Sequence, residues 1–311
     1  MEKPTEYRIS TITATGSVNT KIDLDVFFDH LTVIDADTTN GSGVLYAEFS
    51  KEEGAPLTKG VSKKSSRKQA AALESKSKRF DNQVTVVYRM METDIHVEKK
   101  NLNIKVFNNG NIQITGIKYI AQGRQMIDKI IDILHELHDQ EHTTIVEDVA
   151  KLQNVDYNIR LINSDFKIGF PVKRELLYKV FTAKYDNYCS FEPCIYPGVK
   201  IRYYYNEHNH RKDGLCYCQD TCEVGKGSGK GNKQCKKITI AVFQSGCVII
   251  TGAQSHDQIQ DAYEFVVKVL LECRDDIEKK NVLPTAEETV EKKKQLINKK
   301  NIVYPAGWVG K

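Results

Sequence analysis

One stretch occurs twice in this chain, and that repetition limits the folds open to it. Ile104–Gly116 reads IKVFNNGNIQITG and Ile240–Gly252 reads IAVFQSGCVIITG. Aligned without a gap at an offset of 136 residues, Val106 to Val242, the halves also match at Phe107/Phe243, Gly110/Gly246, Ile114/Ile250, Thr115/Thr251 and Gly116/Gly252. The match continues to Gln122/Gln258 and Leu134/Leu270. Each copy predicts a strand, a tight turn, a second strand and then a helix. Two copies are too few for a solenoid. They predict instead one pseudo-twofold molecule whose strands share a sheet, with the long helices on one face and the other face left for use.

The length of 311 residues accommodates this plan, being enough for one large or two ordinary domains. No apolar run approaches the roughly 18 residues of a membrane span. The start, Met1-Glu2-Lys3-Pro4, lacks the apolar segment of a secretory signal, which leads to the expectation of an intracellular protein. The eight cysteines are accordingly read as thiols or metal ligands rather than a disulfide framework. A net charge of +4 decides little. Its distribution is more informative: Lys59, Lys63, Lys64, Arg67, Lys68, Lys76, Lys78 and Arg79 crowd one segment, as either a phosphate-binding arm or a solvated loop.

In chain order, residues 7–18 predict a strand with two unequal faces, Lys21–Leu31 a short helix, Gly43–Phe49 a strand and Val84–Met90 a β-branched strand. Between the last two, residues 51–79 predict a long loop or partly helical insertion. The first repeated stretch follows, then a helix from Ile120 to Leu137 with Met126, Ile127, Ile130, Ile131 and Leu134 on one face. The second half predicts a strand at 157–168, a helix opened by Phe170-Pro171-Val172 and running through Phe181, a turn at 191–198 and a strand at Val199–Tyr205. A Gly-, Lys- and Cys-rich insertion then precedes the second repeated stretch and its helix.

The order of elements, the Phe-x-x-Gly and Thr-Gly strand ends, and the runs Ser190-Phe191-Glu192-Pro193 and Tyr196-Pro197-Gly198 together resemble the TATA-box-binding protein family, in the divergent form encoded by large DNA viruses. The second half is the closer match. The resemblance implies an α+β fold, a duplicated saddle made of one curved antiparallel sheet with helices on its convex face. It divides the chain into a first repeat at 1–150 with a basic insertion about 35–79, a second repeat at 151–274 with the Cys-rich insertion about 206–237, and a charged tail at 275–311, with a helical stretch at 285–300. It implies a monomeric transcription initiation factor that binds and bends A·T-rich promoter DNA through the minor groove. Partners would be other initiation factors and an RNA polymerase, in the nucleus or at a viral replication site in the host cytoplasm. This family is itself a standard example of kinking by inserted apolar side chains, so that mechanism comes with the resemblance.

By the same resemblance, Phe107 and Phe243 are wedges at the two ends, with Tyr196 as partner in the second repeat and Phe80, or its rival Val84, in the first. Thr115, Thr251, Ile114 and Ile250 would line the groove-facing surface. The family's central amides correspond to Thr11, or Thr13 in a shifted register, and to Leu161, with Asn163 two residues further on the same strand face. From the residues alone, a Phe three positions before a turn glycine also suits the core, and Thr115 and Thr251 also suit hydroxyl caps of the turn or following helix.

In the insertion, His208, His210, Cys216, Cys218, Cys222 and Cys235 are residue types a tetrahedral zinc site requires, and the four cysteines are the candidate ligand set; free thiols in a loop and a redox switch are the alternatives. Gly225–Gly231 imitates a phosphate loop, but Val224 and Gly231 stand where that motif needs Gly and Ser or Thr. No catalytic set and no required cofactor emerges. A DNA-bending factor therefore leads, ahead of an interaction scaffold that keeps the fold without sequence-specific DNA binding, and of a nucleic-acid enzyme.

Overall fold

The computed structural model describes residues 3–35, 41–49, 56–60, 82–91, 100–141, 144–219, 222 and 225–279. The first repeat contributes β1 (Arg8–Ser17), α1 (Leu24–His30), β2 (Gly43–Phe49), β3 (Leu57–Gly60), β4 (Gln83–Met90), β5 (Lys100–Phe107), β6 (Asn111–Ile117) and α2 (Ile120–Glu141). The second contributes β7 (Val155–Lys167), α3 (Arg174–Lys184), β8 (Cys189–Ser190), β9 (Val199–Tyr205), β10 (Lys236–Val242), β11 (Cys247–Ala253), α4 (His256–Glu272) and the single turn α5 (Arg274–Ile277). All the strands join one antiparallel sheet in the order β3-β2-β4-β5-β6-β1-β7-β11-β10-β9-β8. The β1–β7 seam lies at its centre, and the succession β6-β5-β4-β2 on one side is answered by β11-β10-β9-β8 on the other. Among the described residues, only β3 has no counterpart.

The duplication extends to individual backbone contacts. Gly110 donates to the Phe107 carbonyl and Gly246 to that of Phe243, both at 3.0 Å, closing the two hairpin turns. Val18 donates to Gly110 and Ile168 to Gly246, while Ile22 donates to Asn108 and Val172 to Gln244, all at 2.9 Å. Glycine is needed at the turns: Gly110 and Gly246 have φ of 80° and 81°, and a Cβ there would lie 2.1 Å from the Thr20 carbonyl oxygen or 2.2 Å from that of Phe170. Each long helix is tied to its strand by a buried glutamine, Gln122 accepting from Lys118 N–H and Gln258 from Gln254 N–H, both at 2.8 Å.

The core forms between the sheet and helices packed on one of its faces. Ile12 and Ala14 of β1 and Ile104 and Val106 of β5 are buried by alternation, and so are Ile240 and Val242 of β10, where the small Ala241 between them is buried as well. They meet Met126, Ile127, Ile130 and Leu134 of α2 and Ile259, Ala262, Val266 and Leu270 of α4. Each such aliphatic side chain contributes about 1.5–3 kcal/mol. Both long helices pack on the same side of β7: its Tyr157 hydroxyl donates to the Ile120 carbonyl of α2, and its Phe166 ring packs edge-on against Tyr263 of α4 at 4.7 Å. Tyr157 and Phe166 are nine residues apart and would point to opposite faces in a regular strand. An extra residue restores the facing: Thr13 pairs with Leu161 but Ala14 with Ile159, leaving Arg160 unpaired in the ladder.

Two local expectations change. Within the insertion read as loop or part-helix, Leu57–Gly60 forms an edge strand on β2, held by pairing that a four-residue segment does not signal in its sequence. The helix expected from Pro171 starts at Arg174, because Val172 is drawn into extended pairing with Gln244 and Glu278. The tail segment read as helical at 285–300 lies outside the described residues. Among the described residues, no helix is long and apolar enough to cross a membrane.

Candidate nucleic-acid interface

Alternation fixes which side chains occupy the other face of the sheet, which carries no helix among the described residues and is the helix-free face. In the first repeat Asn103, Lys105 and Phe107 of β5 face Thr115 and Gln113 of β6, with Asn103 opposite Thr115 and Lys105 opposite Gln113. In the second, Thr239 and Ala241 of β10 stand opposite Thr251 and Ile249 of β11. At the seam Thr13 lies between Thr115 and Leu161, while Thr11 pairs with Asn163. The middle of the face is thus a half-buried band of threonines with one Leu and one Asn. Small and β-branched groups give a smooth surface of hydroxyls and methyls, able to take another surface in close contact.

An aromatic cluster ends this band in the second repeat. Tyr196 and Phe243 rings lie 5.8 Å apart, tilted by 58°, and Gly198 sits beneath them: a Cβ there would come within 2.9 Å of Tyr196 and 3.2 Å of Phe243. Arg174, the first residue of α3, holds the pair's surroundings in place. Its guanidinium donates to the Pro197 carbonyl and, at 3.3 Å, to Gln244 Oε1, and it lies 5.3 Å from the Phe191 ring centroid. Lys200 Nζ lies 4.3 Å from the Tyr196 ring centroid, and the Arg202 guanidinium carbon 3.9 Å from that of Tyr188. Burial raises the Tyr196 phenol pKa, so this ring is uncharged at neutral pH.

Phe107 is the half-buried equivalent in the first repeat. The candidates for its partner are Phe80 and Val84. Val84 is fully buried against the core, which removes it as a candidate. Strand pairing equates Val84–Val106 with Val199–Val242, so the position matching Tyr196 is Asp81, one beyond Phe80. Both Phe80 and Asp81 lie outside the described residues.

Charge on the helix-free face is mixed. Arg160, looped out by the central irregularity, donates to Thr15 Oγ1 at 2.8 Å. Two strand positions beyond Asn163, Asp165 accepts from the Ser10 hydroxyl and pairs with Arg8 at 2.9 Å. Partial burial alone would raise its pKa, but the Ser10 and Arg8 hydrogen bonds outweigh this and hold the carboxyl below its ordinary value, ionised at neutral pH.

Several expected residues are therefore brought to one face: Phe107, Phe243 and Tyr196 at its ends, Thr115, Thr251, Thr11 and Asn163 along its middle. Ile114 and Ile250 are not. Both are fully buried under the helices, because they alternate with the threonines and point the other way, so neither can touch a ligand on the helix-free face. Arg174, Lys200, Arg202 and Asp165 were missed. Only the cationic strand pattern Lys200-x-Arg202 could have been found in the sequence; the others depend on contacts between distant segments. In the insertion, the Sγ atoms of Cys216, Cys218, Cys222 and Cys235 all lie within 4.8 Å of one another, without His208 or His210.

Residues 156–273 match the family model for transcription factor TFIID (or TATA-binding protein, TBP). The second repeat matches the TATA-binding protein family. A TATA-box-binding protein-like protein of Acanthamoeba polyphaga mimivirus is 29% identical over 274 residues, 85% of this chain and 64% of that protein. The TATA-box-binding protein of Acanthamoeba castellanii is 24% identical over 169 residues, 54% of this chain and 48% of that protein. Among solved structures, Methanococcus jannaschii TBP aligns over 86% of this chain and 99% of its own, at 14% identity and a TM-score of 0.44. The aligned regions span less than two thirds of the viral and amoebal relatives. The TATA-binding-protein match thus falls on the half that holds Tyr196, Phe243 and Arg174, while the alignment with the viral relative is long enough to take in part of the first repeat as well.

Proposed function

We propose that this chain is a transcription initiation factor that lays its helix-free sheet face in the minor groove of promoter DNA and bends it. The observation that carries the reading is the Tyr196–Phe243 ring pair, standing at the end of a threonine-lined, helix-free sheet beside Lys200. Such rings can enter a base step, offsetting unstacking of a few kcal/mol per step by the wrapped surface that the bend creates. Thr11, Thr13, Thr115 and Thr251 would press on sugars and base edges, with Arg160, Lys200 and Arg202 near phosphates. The minor groove distinguishes mainly A·T from G·C, so preference would come from A·T content and deformability. The helices on the opposite face are left for other initiation factors and the polymerase, at nuclear promoters or a viral replication site, with the chain acting as a monomer.

The direct test is a gel-shift and end-to-end fluorescence-transfer measurement on A·T-rich and G·C-rich duplexes across a salt series. Tighter binding and a bend on the A·T-rich duplex are expected, with affinity falling as salt rises. Equal, weak binding with no bend would leave the scaffold reading in its place.

Two substitutions refine this reading. Asp165→Asn removes an anion from the proposed DNA face and releases Arg8, so the affinity of the A·T-rich duplex should rise about fivefold, ~1 kcal/mol, at low salt. A weaker or unchanged complex would mean that DNA does not approach Asp165. Arg174→Ala should lower affinity about tenfold by loosening the loop beneath the ring pair, with a fall in Tm below about 3 °C because the clamp is exposed. Loss of stability without loss of bending would assign Arg174 to the fold alone.

A further inference from the structure

The described residues of the insertion at 206–237 fold without a hydrophobic core of their own. Among its described residues the buried positions are Gly214, Gly225, Gly229, Gly231 and Cys235, so Cys235 is the one buried side chain. Ordering a segment of this length costs on the order of 1–2 kcal/mol per residue in backbone entropy, and among its described residues no aliphatic or aromatic side chain is fully buried to offset that cost. What the segment does contain is a convergence of sulfur. Cys216, Cys218 and Cys222 arrive from one arm and Cys235 from the start of the strand region, with all four Sγ atoms within 4.8 Å of one another. Cys235 lies 3.5 Å from both Cys218 and Cys216. A disulfide would select one of these neighbours at about 2.05 Å. Four sulfurs at the corners of a tetrahedron around zinc, each about 2.3 Å from the ion, stand about 3.8 Å apart.

The surroundings are those of thiolate ligands. The Lys233 N–H points at Cys218 Sγ at 3.1 Å, from a residue held at φ 61°, and Asn206 Nδ2 donates to Cys235 Sγ at 3.4 Å. Donors directed at the sulfurs stabilise negative charge and fix ligand orientation, as outer partners do around structural metal sites. We propose that Cys216, Cys218, Cys222 and Cys235 bind one structural Zn²⁺ that fastens the insertion to the sheet.

The fastening has a defined place. Lys237 N–H donates to the Gly225 carbonyl at 2.8 Å, Lys226 bridges to Lys236, and Gln258 Nε2 donates to the Ser228 carbonyl at 3.2 Å. The insertion is thereby docked on the start of β10 and the first turn of α4. This is the far end of β9 from Tyr196, roughly 20 Å away along the strand. Metal loss should release the insertion and leave the ring pair standing, so this proposal can fail or succeed independently of the DNA reading.

The test uses the untagged full-length chain, purified without added metal. Elemental analysis should give about one zinc per chain, and cobalt replacement should give the intense visible absorption of a tetrahedral cobalt thiolate. Cys216→Ser/Cys218→Ser should lose the zinc, while Cys194→Ser, exposed and outside the cluster, should keep it. Stripping the metal should make residues 206–237 a site of rapid proteolysis while bending of the A·T-rich duplex persists. The proposal is overturned by metal near zero with every thiol titrating as free, by metal near zero with two thiols missing as a disulfide, or by iron in place of zinc. Wild-type stoichiometry and the cobalt spectrum decide the matter even if the double variant does not fold.

Discussion

Replacing Phe107 and Phe243 together with alanine is expected to abolish DNA bending and to weaken binding to an A·T-rich duplex about a hundredfold, ~2.7 kcal/mol. The size follows from what a ring does in a kinked step: it replaces lost base stacking with its own contact, and without it the cost of unstacking is no longer offset. Both rings are half-buried and end their strands at a turn, so removing them should cost the fold only ~1–2 kcal/mol, less than the truncation of a fully buried Phe. The two single variants should differ. Phe243 has Tyr196 against it and Arg174 bracing the loop below, so Phe243→Ala removes half of an organised pair and should have the larger effect on the bend. Fluorescence transfer across an end-labelled duplex reads the bend directly, with thermal melting to separate folding from binding. An unchanged bend in the double variant would end the wedge assignment for both residues.

The parts of this fold visible in the sequence are those set by local rules. The repeated Phe-x-x-Gly turns gave the two hairpins, because a left-handed glycine and alternating β-branched strands are both local signals, and the apolar spacing from Met126 to Leu134 gave α2. Side-chain facing was less legible. Ile114 and Thr115 are neighbours that share the same family motif, yet one is core and the other surface, and alternation in the folded sheet is needed to separate them. The centre was harder still: Arg160 loops out at the seam, and this shift decides that Leu161 and Asn163 share the helix-free face with Thr13 and Thr11. Neither the Arg174 clamp nor the Asp165 pairing could be read from spacing, since each joins segments between 23 and 157 residues apart. The cysteine cluster lay between these cases. Its four thiols were named from the sequence, but the C-x-C-x-x-x-C spacing did not show that the fold would bring Cys235 within 4.8 Å of the other three.

Gly246→Ala is expected to lower stability by about 3 kcal/mol and Tm by roughly 6–12 °C. Two costs combine. A residue with a Cβ at φ 81° pays about 1–2 kcal/mol for a left-handed conformation. The added carbon would also sit 2.2 Å from the Phe170 carbonyl oxygen, a backbone atom that cannot swing away. Relief requires the turn to move by about 1 Å, which strains the bonds Ile168 N–H makes to Gly246 and Gly246 N–H makes to Phe243. That movement carries Phe243 with it, so bending should fall at temperatures where the variant is still folded. Gly231→Ala separates the two costs: its φ of 140° is also unfavourable for alanine, but nothing lies within 4 Å of the added carbon, and its Tm should fall by less than half as much. Gly110→Ala, 2.1 Å from the Thr20 carbonyl oxygen, should behave like Gly246→Ala, because the two turns are built on the same contact. If Gly246→Ala and Gly231→Ala melt alike, the close approach of turn to chain is not what requires glycine, and the duplicated stretch would be constrained by backbone conformation alone.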